Sequence, residues 1–340
     1  MTTAAEIGTV RLSRRSALGL AGLGAATAAL GGFGRGSHTL SEPGPDPSLQ
    51  GAGFYRMRLG EFDLFLISDG AFRFEDPQAV LASDTGAAEF DDALREAFLR
   101  SDHVMGQVNT LLVRTPDATV LVDTGCGELF GPATGKLLSN MARAGFKPGD
   151  IDAVVLTHAH PDHFGGIVGG GAADAFAKAR FFVSRDEHDF WRGPAPDLSR
   201  SPLPKPMLDQ FIQGANAAFD AMKPRLDLIG DKDQIAPGVH AMLLGGHTPG
   251  HIGLRIASGS EELVYVSDLV HHVSFGMTHP EWRVAFDYDP EEGSRVRRRV
   301  LDRIASDRAF ISGSHLPFPA FGHVRQRGKG FEFAPTQWMW

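Results

Sequence analysis

The segment His158-Ala159-His160-Pro161-Asp162-His163 constrains this chain more than any other, because it sets four metal-ligating side chains within six residues. It follows directly on Ala153–Thr157, whose Val- and Leu-rich run reads as a buried strand. In an extended continuation of that strand, residues two apart point the same way, so His158 and His160 can hold one cation together. Pro161 turns the chain and favours a helix start. Asp162 and His163 then leave in a new direction and can hold a second cation close by. Several imidazoles with a few carboxylates suit zinc and its neighbours. A lone histidine is readily satisfied by nearby backbone, but four such donors at this density need a common purpose.

Two cations need more ligands, and the later sequence supplies them. His247 sits in Gly245-Gly246-His247-Thr248-Pro249-Gly250-His251, after a predicted strand Val239–Leu244. Asp268 ends a predicted strand Leu263–Ser267, and His315 follows another, Phe310–Ser312. Each is a ligand-type residue where a strand stops. Asp123, in Leu121-Val122-Asp123-Thr124-Gly125, reads equally as a carboxylate behind the ligands that fixes their loop or as a turn-forming residue before glycine. His251 and His323 read as structural neighbours of the motifs. His271 and His272 follow Asp268 and are candidates to face a pocket.

Further strands are predicted at Phe62–Ser68, Thr110–Arg114, Thr119–Val122, Arg180–Ser184 and Gly253–Ile256, with helices at Leu137–Ala144, Met207–Met222 and Glu291–Asp307. Strands in groups with interspersed helices predict two sheets covered by helices. Gly193–Pro206 holds five prolines and reads as an ordered loop over one face, a candidate lid. Before Phe54 the character changes. Ser13-Arg14-Arg15-Ser16 precedes an Ala/Gly-rich, weakly apolar stretch, so residues 1–36 read as a twin-arginine signal peptide. Residues 37–53, rich in Gly, Ser and Pro, read as a linker. The expected location is therefore periplasmic or secreted, with no stable membrane insertion after cleavage.

The formal net charge is −8; residues 1–36 carry four arginines against one glutamate, which leaves −11 on the remainder. That sign argues against nucleic acid as a partner. The lone cysteine, Cys126, excludes an internal disulfide and reads as a small, partly buried thiol. A homodimer is compatible with the sequence.

Taken together, Asp123, the 158–163 segment, His247, Asp268 and His315 resemble the five-motif signature of the metallo-β-lactamase superfamily in order and spacing. Within it the chain is similar to methyl parathion hydrolase and its relatives. Matching stretches include Phe54-Tyr55-Arg56-Met57, Leu129-Phe130-Gly131-Pro132, Asp189-Phe190-Trp191 and Gly328-Lys329-Gly330, and the likeness runs from about Phe54 to Phe333. The resemblance implies an α+β fold, a four-layer αββα sandwich over 54–340, and two divalent metal ions, Zn2+ first among them. It assigns His158, His160 and His247 to one metal, Asp162, His163 and His315 to the other, and Asp268 to both. Asp162 and Asp268 become the catalytic carboxylates, Asp123 a support. Phe130 and Trp191 match positions that line the substrate pocket, although an aromatic taken alone belongs to a core as readily. Histidine at 271 and 272 departs from that subfamily, which is apolar there, so His272 enters the expected pocket and the substrate is left open. The implied activity is hydrolysis of a hydrophobic ester, lactone or phosphotriester by a metal-bridging hydroxide. No Gly-x-Ser-x-Gly elbow supplies a serine nucleophile. The alternatives are a β-lactamase and a non-catalytic metal-binding module.

Overall fold

The structure is a computed structural model describing residues 53–169, 175–194 and 196–338. The expected signal peptide and all of the expected linker but Gly53 lie outside the described residues. Among these, two seven-stranded sheets form in chain order. The first holds β1 (Phe54–Leu59), β2 (Phe62–Phe74), β3 (Val104–Arg114), β4 (Thr119–Val122), β5 (Ala153–Val155), β6 (Arg180–Ser184) and β7 (Leu226–Ile229). It is antiparallel from β1 to β4 and parallel from β4 to β7. The second holds β8 (Gln234–Ala236), β9 (Val239–Leu243), β10 (Ile252–Ser258), β11 (Glu261–Tyr265), β12 (Phe310–Ser312), β13 (Gly322–Arg327) and β14 (Gly330–Pro335), with one parallel pair, β11 with β12.

The sheets meet in one core. Leu64 and Leu66 of β2, Leu111 and Val113 of β3 and Val120 and Val122 of β4 pack with Val239, Ile252, Leu254, Ile256 and Leu263 of the second sheet. The alternate residues of the same strands, Phe65, Ile67, Leu112 and Leu121, point the other way into a helix-covered layer. Strands buried on both faces read as continuous apolar runs, which is why Phe62–Ile67 shows no polar alternation beyond Asp63. Helices α3 (Leu137–Arg143), α4 (Pro161–Gly169) and α6 (Lys205–Met222) cover the first sheet through Met141, Phe164, Phe211 and Phe219. On the other side lies α7 (Pro290–Asp307), which buries Val296, Leu301 and Ile304. The layers are therefore helix, sheet, sheet, helix, the expected α+β sandwich.

Several elements differ from the sequence expectation. β2 continues to Phe74 and β3 starts at Val104, so the two outrun the sheet as a long hairpin, with a register shift between Ser68 and Gly70. That hairpin packs in a third core with α1 (Pro77–Leu81) and α2 (Ala87–Glu96), neither of which was expected. The chain does not end its strands at Ser312, because β13 and β14 follow. The proline-rich loop is shorter than expected, since Lys205 and Pro206 already form the first turn of α6, where proline is tolerated. Its Leu203 is buried in the helix-side core and its Arg200 pairs with Asp289. No helix among the described residues is long and apolar enough to cross a membrane.

Candidate metal centre and substrate cavity

The loops that carry the candidate ligands leave the carboxyl ends of strands in both sheets and gather around Thr157. β4 runs into Asp123, held at φ 64°, a left-handed conformation that only a built surrounding sustains. The Asp123 carboxylate accepts from Thr157 N at 2.8 Å and Thr157 Oγ1 at 2.9 Å. Ser267, also left-handed at φ 47°, donates its hydroxyl to Thr157 Oγ1 at 2.9 Å. Asp123 and Ser267, one behind each sheet's ligands, are thus tied through one hydroxyl. α4 begins at Pro161 and places Asp162 and His163 in its first turn. It sits close against the loop after β4: a Cβ on Gly165 would come within 2.1 Å of Cys126 O.

The side chains converge in two sets. His158, His160 and His247 bring their donor atoms within 4.8 Å of one another, and so do Asp162, His163, Asp268 and His315. Asp268 stands between them. Its Oδ2 is 2.9 Å from His315 Nε2 and its Oδ1 is 3.2 Å from His163 Nε2, while His158 and His247 approach at 3.8 and 3.7 Å.

The chemistry of these donors fits cations. His158 Nε2 and His247 Nε2 face each other at 3.1 Å, and His163 Nε2 is buried without a hydrogen-bond partner. The opposite nitrogens are committed: His163 Nδ1 to Asp123 at 2.9 Å, His247 Nδ1 to Asp287 at 2.8 Å and His315 Nδ1 to the carbonyl of Gln107 at 2.6 Å. With Nδ1 placed against a carbonyl or carboxylate, the Nε2 of each of these rings is the atom turned to the centre, where it could give its lone pair to a bound cation. Burial, then crowding by neighbouring imidazoles, pushes His158 and His160 well below the ordinary histidine range. Burial alone would raise Asp268, but His163, His315 and His158 around it hold it well below the usual carboxylate range. Burial alone would lower His163, but Asp268, Asp123 and Asp162 hold it well above the ordinary value.

Three further acids, each without a motif of its own, position these loops. Glu187, on α5 (Arg185–Arg192), is fully buried. It accepts from Ala159 N at 2.8 Å and Trp191 Nε1 at 2.7 Å on one oxygen, and from Thr248 Oγ1 at 2.6 Å and Gly250 N at 3.1 Å on the other. It therefore joins the His158–His160 loop to the His247 loop. Asp287 is paired in turn with the buried guanidinium of Arg297 at 3.1 Å. Asp69 accepts from Cys126 N, Gly135 N and Leu137 N, which fixes the loop that carries Phe130.

Above the centre opens a cavity whose floor is His160, Asp162, His247, Asp268 and His315 and whose apolar wall is Phe72, Phe74, Phe130, Met207, Phe211 and Phe286. Of the three expected pocket residues, Phe130 is there. Trp191 is not: it is buried behind His160, ring centres 6.1 Å apart, with its indole N–H on Glu187 one helical turn away. His272 is not either. Its ring lies against Phe275 and its Nδ1 accepts from Ser274 N at 3.2 Å. Adjacent residues of an extended stretch point to opposite sides, so only one of the pair could face inward, and it is His271. None of the described residues between Gly193 and Pro206 lines the cavity. His251 supports the floor, its Nε2 accepting from Asp268 N at 3.3 Å.

The family profile "Metallo-beta-lactamase superfamily" matches residues 104–315. Among curated proteins the chain is 29% identical over 171 residues to N-acyl homoserine lactonase AiiB of Agrobacterium fabrum, spanning 44% of this chain and 57% of that protein. It is 25% identical over 244 residues to an N-acyl homoserine lactonase of Bacillus cereus, covering 66% of this chain and 84% of the other. Among solved structures, AidC, described as a dizinc quorum-quenching lactonase in complex with its product, superposes with a TM-score of 0.80 at 34% identity, over 84% of this chain and 98% of that one. The hydrolase AbOPH, described as a member of the β-lactamase superfamily, gives 0.78 at 28% identity, over 86% and 100%.

Proposed function

This chain belongs to the metallo-β-lactamase superfamily, and we propose that it is a binuclear metal-dependent hydrolase of lactones and related apolar esters. The observation that carries the reading is one arrangement: two ligand sets joined by Asp268 on the floor of an aromatic-walled cavity. His158, His160 and His247 would hold one divalent cation, Asp162, His163 and His315 the other, with Asp268 shared. Zinc is the reading that the donor set and the dizinc neighbour favour. When bound, such a pair supplies Lewis acidity and makes a shared water acidic enough to act as nucleophile at neutral pH.

The protein's own part is to hold and exclude. Asp268 fixes the spacing of the two sets from the second sheet, and Asp123, Asp287 and Glu187 lock the imidazoles behind them. The phenylalanine wall takes an apolar substituent and keeps bulk water from the floor. Among the described residues that line it, Arg73 is the one lysine or arginine, and phenylalanines dominate the wall. The apolar wall with the lactonase relatives favours an aliphatic or aryl-substituted lactone, with phosphotriester hydrolysis as a side activity.

The test is one preparation assayed twice. Metals are counted by elemental analysis, and turnover is measured on a medium-chain lactone, an aryl ester, an aryl phosphotriester and a β-lactam. Two metals per chain with the highest kcat/KM on the lactone supports the reading. A preference for the β-lactam, or metal without turnover of any of the four, overturns it. We also propose export through the twin-arginine route, supported by Arg14-Arg15 and the apolar stretch after them. Replacing both arginines by lysine should trap the protein in the cytoplasm of a Gram-negative host, as cell fractionation would show.

A further inference from the structure

His271 is a cavity residue that the metal reading leaves without a task. It lines the wall, is buried, and both of its ring nitrogens lack any hydrogen-bond partner. Its Nε2 lies 3.6 Å from Asp268 Oδ2. Its ring is 4.7 Å from that of His247, stacks on His315 at 5.5 Å and 17°, and lies 6.4 Å from Phe286. It therefore stands at the seam between the ligand floor and the aromatic wall. His271 can form a triad with His247 and Asp268, but each of those already serves one of the two main sets. A third dication there would face two like charges at close range, so the imidazole is not needed as a ligand. An unpartnered buried donor aimed into a cavity is costly unless something that binds there satisfies it.

We propose that the His271 ring N–H hydrogen-bonds the leaving oxygen of the substrate, and so makes the site competent for alkoxide leaving groups such as the ring oxygen of an aliphatic lactone. This rests on the hydrolase reading above. A substrate with its apolar part on Phe74 and Phe286 and its carbonyl carbon over Asp268 carries its linking oxygen past this seam. In the reaction one water is consumed and a new carbon–oxygen bond forms at the carbonyl. The ring carbon–oxygen bond breaks, and the ring oxygen ends as a hydroxyl bearing one of the water's protons while the other is released with the carboxylate. His271 contributes a hydrogen bond to that oxygen as negative charge gathers on it. An imidazole carries at least one N–H in either protonation state, so the contact needs no change of charge.

The test compares γ-decalactone with a p-nitrophenyl ester of similar acyl length, on the metal-loaded full chain. Nitrophenolate departs unaided, whereas an alkoxide does not. His271→Phe should lower kcat on the lactone by about 100-fold, the scale of one lost donor at a developing oxyanion, and lower that on the nitrophenyl ester by far less. His271→Gln, which retains an N–H, should recover a large part of the lactone rate. Both variants should keep two metals by elemental analysis. Calorimetry supplies a readout without turnover: wild type should bind 4-hydroxydecanoate more tightly than decanoate, and His271→Phe should lose that preference. Equal losses on the two substrates, loss of metal from His271→Phe, or a hydroxyl preference that survives the substitution each overturns the proposal. If wild type hydrolyses neither substrate, the hydrolase reading fails and the calorimetric comparison alone decides the role of His271.

Discussion

At the scale of single residues, the proposed centre depends on groups that differ in how directly they would meet the cations. Asp268 reaches both ligand sets, so Asp268→Ala should leave fewer than two metals per chain. Its kcat/KM should fall by more than the 10- to 100-fold or so that a supporting residue costs; two retained metals with full turnover would refute the sharing. Glu187 acts at one remove. Its Oε1 accepts two N–H groups that cannot rotate away, from Ala159 and Trp191, and its Oε2 accepts Gly250 N–H and a hydroxyl. In Glu187→Gln the amide NH2 must face either Ala159 and Trp191 or Gly250, and at least one buried donor loses its acceptor. Zinc affinity in the set His158, His160 and His247 should then weaken by about 10- to 100-fold, read by competition with a chromogenic chelator, while the protein stays folded by circular dichroism. The two kinds of residue also differ in legibility. The side chains that converge here stand out in the sequence because four fall within six positions and the others end apolar runs. Glu187, Asp287 and Asp69 are isolated acids most of whose partners lie tens of residues away, and no local pattern marks them. Trp191 and His272 mislead for the same reason: which way a side chain turns depends on a helix face or a strand alternation that a motif does not state.

At the scale of elements, strands buried on both faces, such as β4 and β5, were readable as short Val/Leu runs. β1, β7, β8, β13 and β14 were not, because they are short or carry polar faces; β13 alternates Gly322-His323-Val324-Arg325 with only Gly322 and Val324 buried. Close packing at α4 escaped the sequence too, since glycine in a helix looks like weakness rather than fit. A Cβ at Gly165 would meet the carbonyl of Cys126 at 2.1 Å, and that carbonyl is backbone and cannot yield cheaply. Gly165→Ala should therefore cost about 1–3 kcal/mol, the usual range for overpacking, measured as a lowered urea midpoint at unchanged m-value. The antiparallel half of the first sheet has its own electrostatic tie. Asp63 on β2 takes hydrogen bonds from Arg56 on β1 and Arg114 on β3. Burial opposes its ionisation, but the two guanidiniums win and hold its carboxyl below the ordinary value. A depressed folded pKa means stability that is present above the unfolded value and is lost as pH falls through the folded one. Both arginines are about half exposed, so solvent screening keeps the contribution small. Asp63→Asn should accordingly be less stable than wild type at pH 7, and the gap in urea midpoints should close as the pH drops below the ordinary carboxylate range. A gap that stays constant down to strong acid would show that the tie is not ionic.

At the scale of the whole molecule, the layer order was legible once the strand-end ligands had been recognised as one signature, because that signature makes sense only if two sheets present their carboxyl ends to one place. The chain order of the strands gives this a mechanical consequence. Asp123 and the 158–163 loop belong to the first sheet, and His247, Asp268 and His315 to the second. Cations held between them would join the two halves of the sandwich. The Nε2 atoms of His158 and His247 lie 3.1 Å apart and the buried Asp268 carboxylate sits among histidines, donors whose burial is costly unless a partner such as a cation satisfies them. A ligand that binds only the folded state stabilises it by RT ln(1 + [L]/Kd), about 4 kcal/mol at a thousand times Kd. For a domain of this size that corresponds to a rise in Tm of roughly 10 °C. Exhaustive chelation should therefore lower the calorimetric Tm by that order, and readdition of zinc should restore it in proportion to the metal bound. Asp268→Ala should show a smaller drop on chelation than wild type, because less of its stability rests on metal to begin with. An apo protein that melts at the same temperature as the loaded one would mean that the two sheets do not share the cations, even if some metal binds.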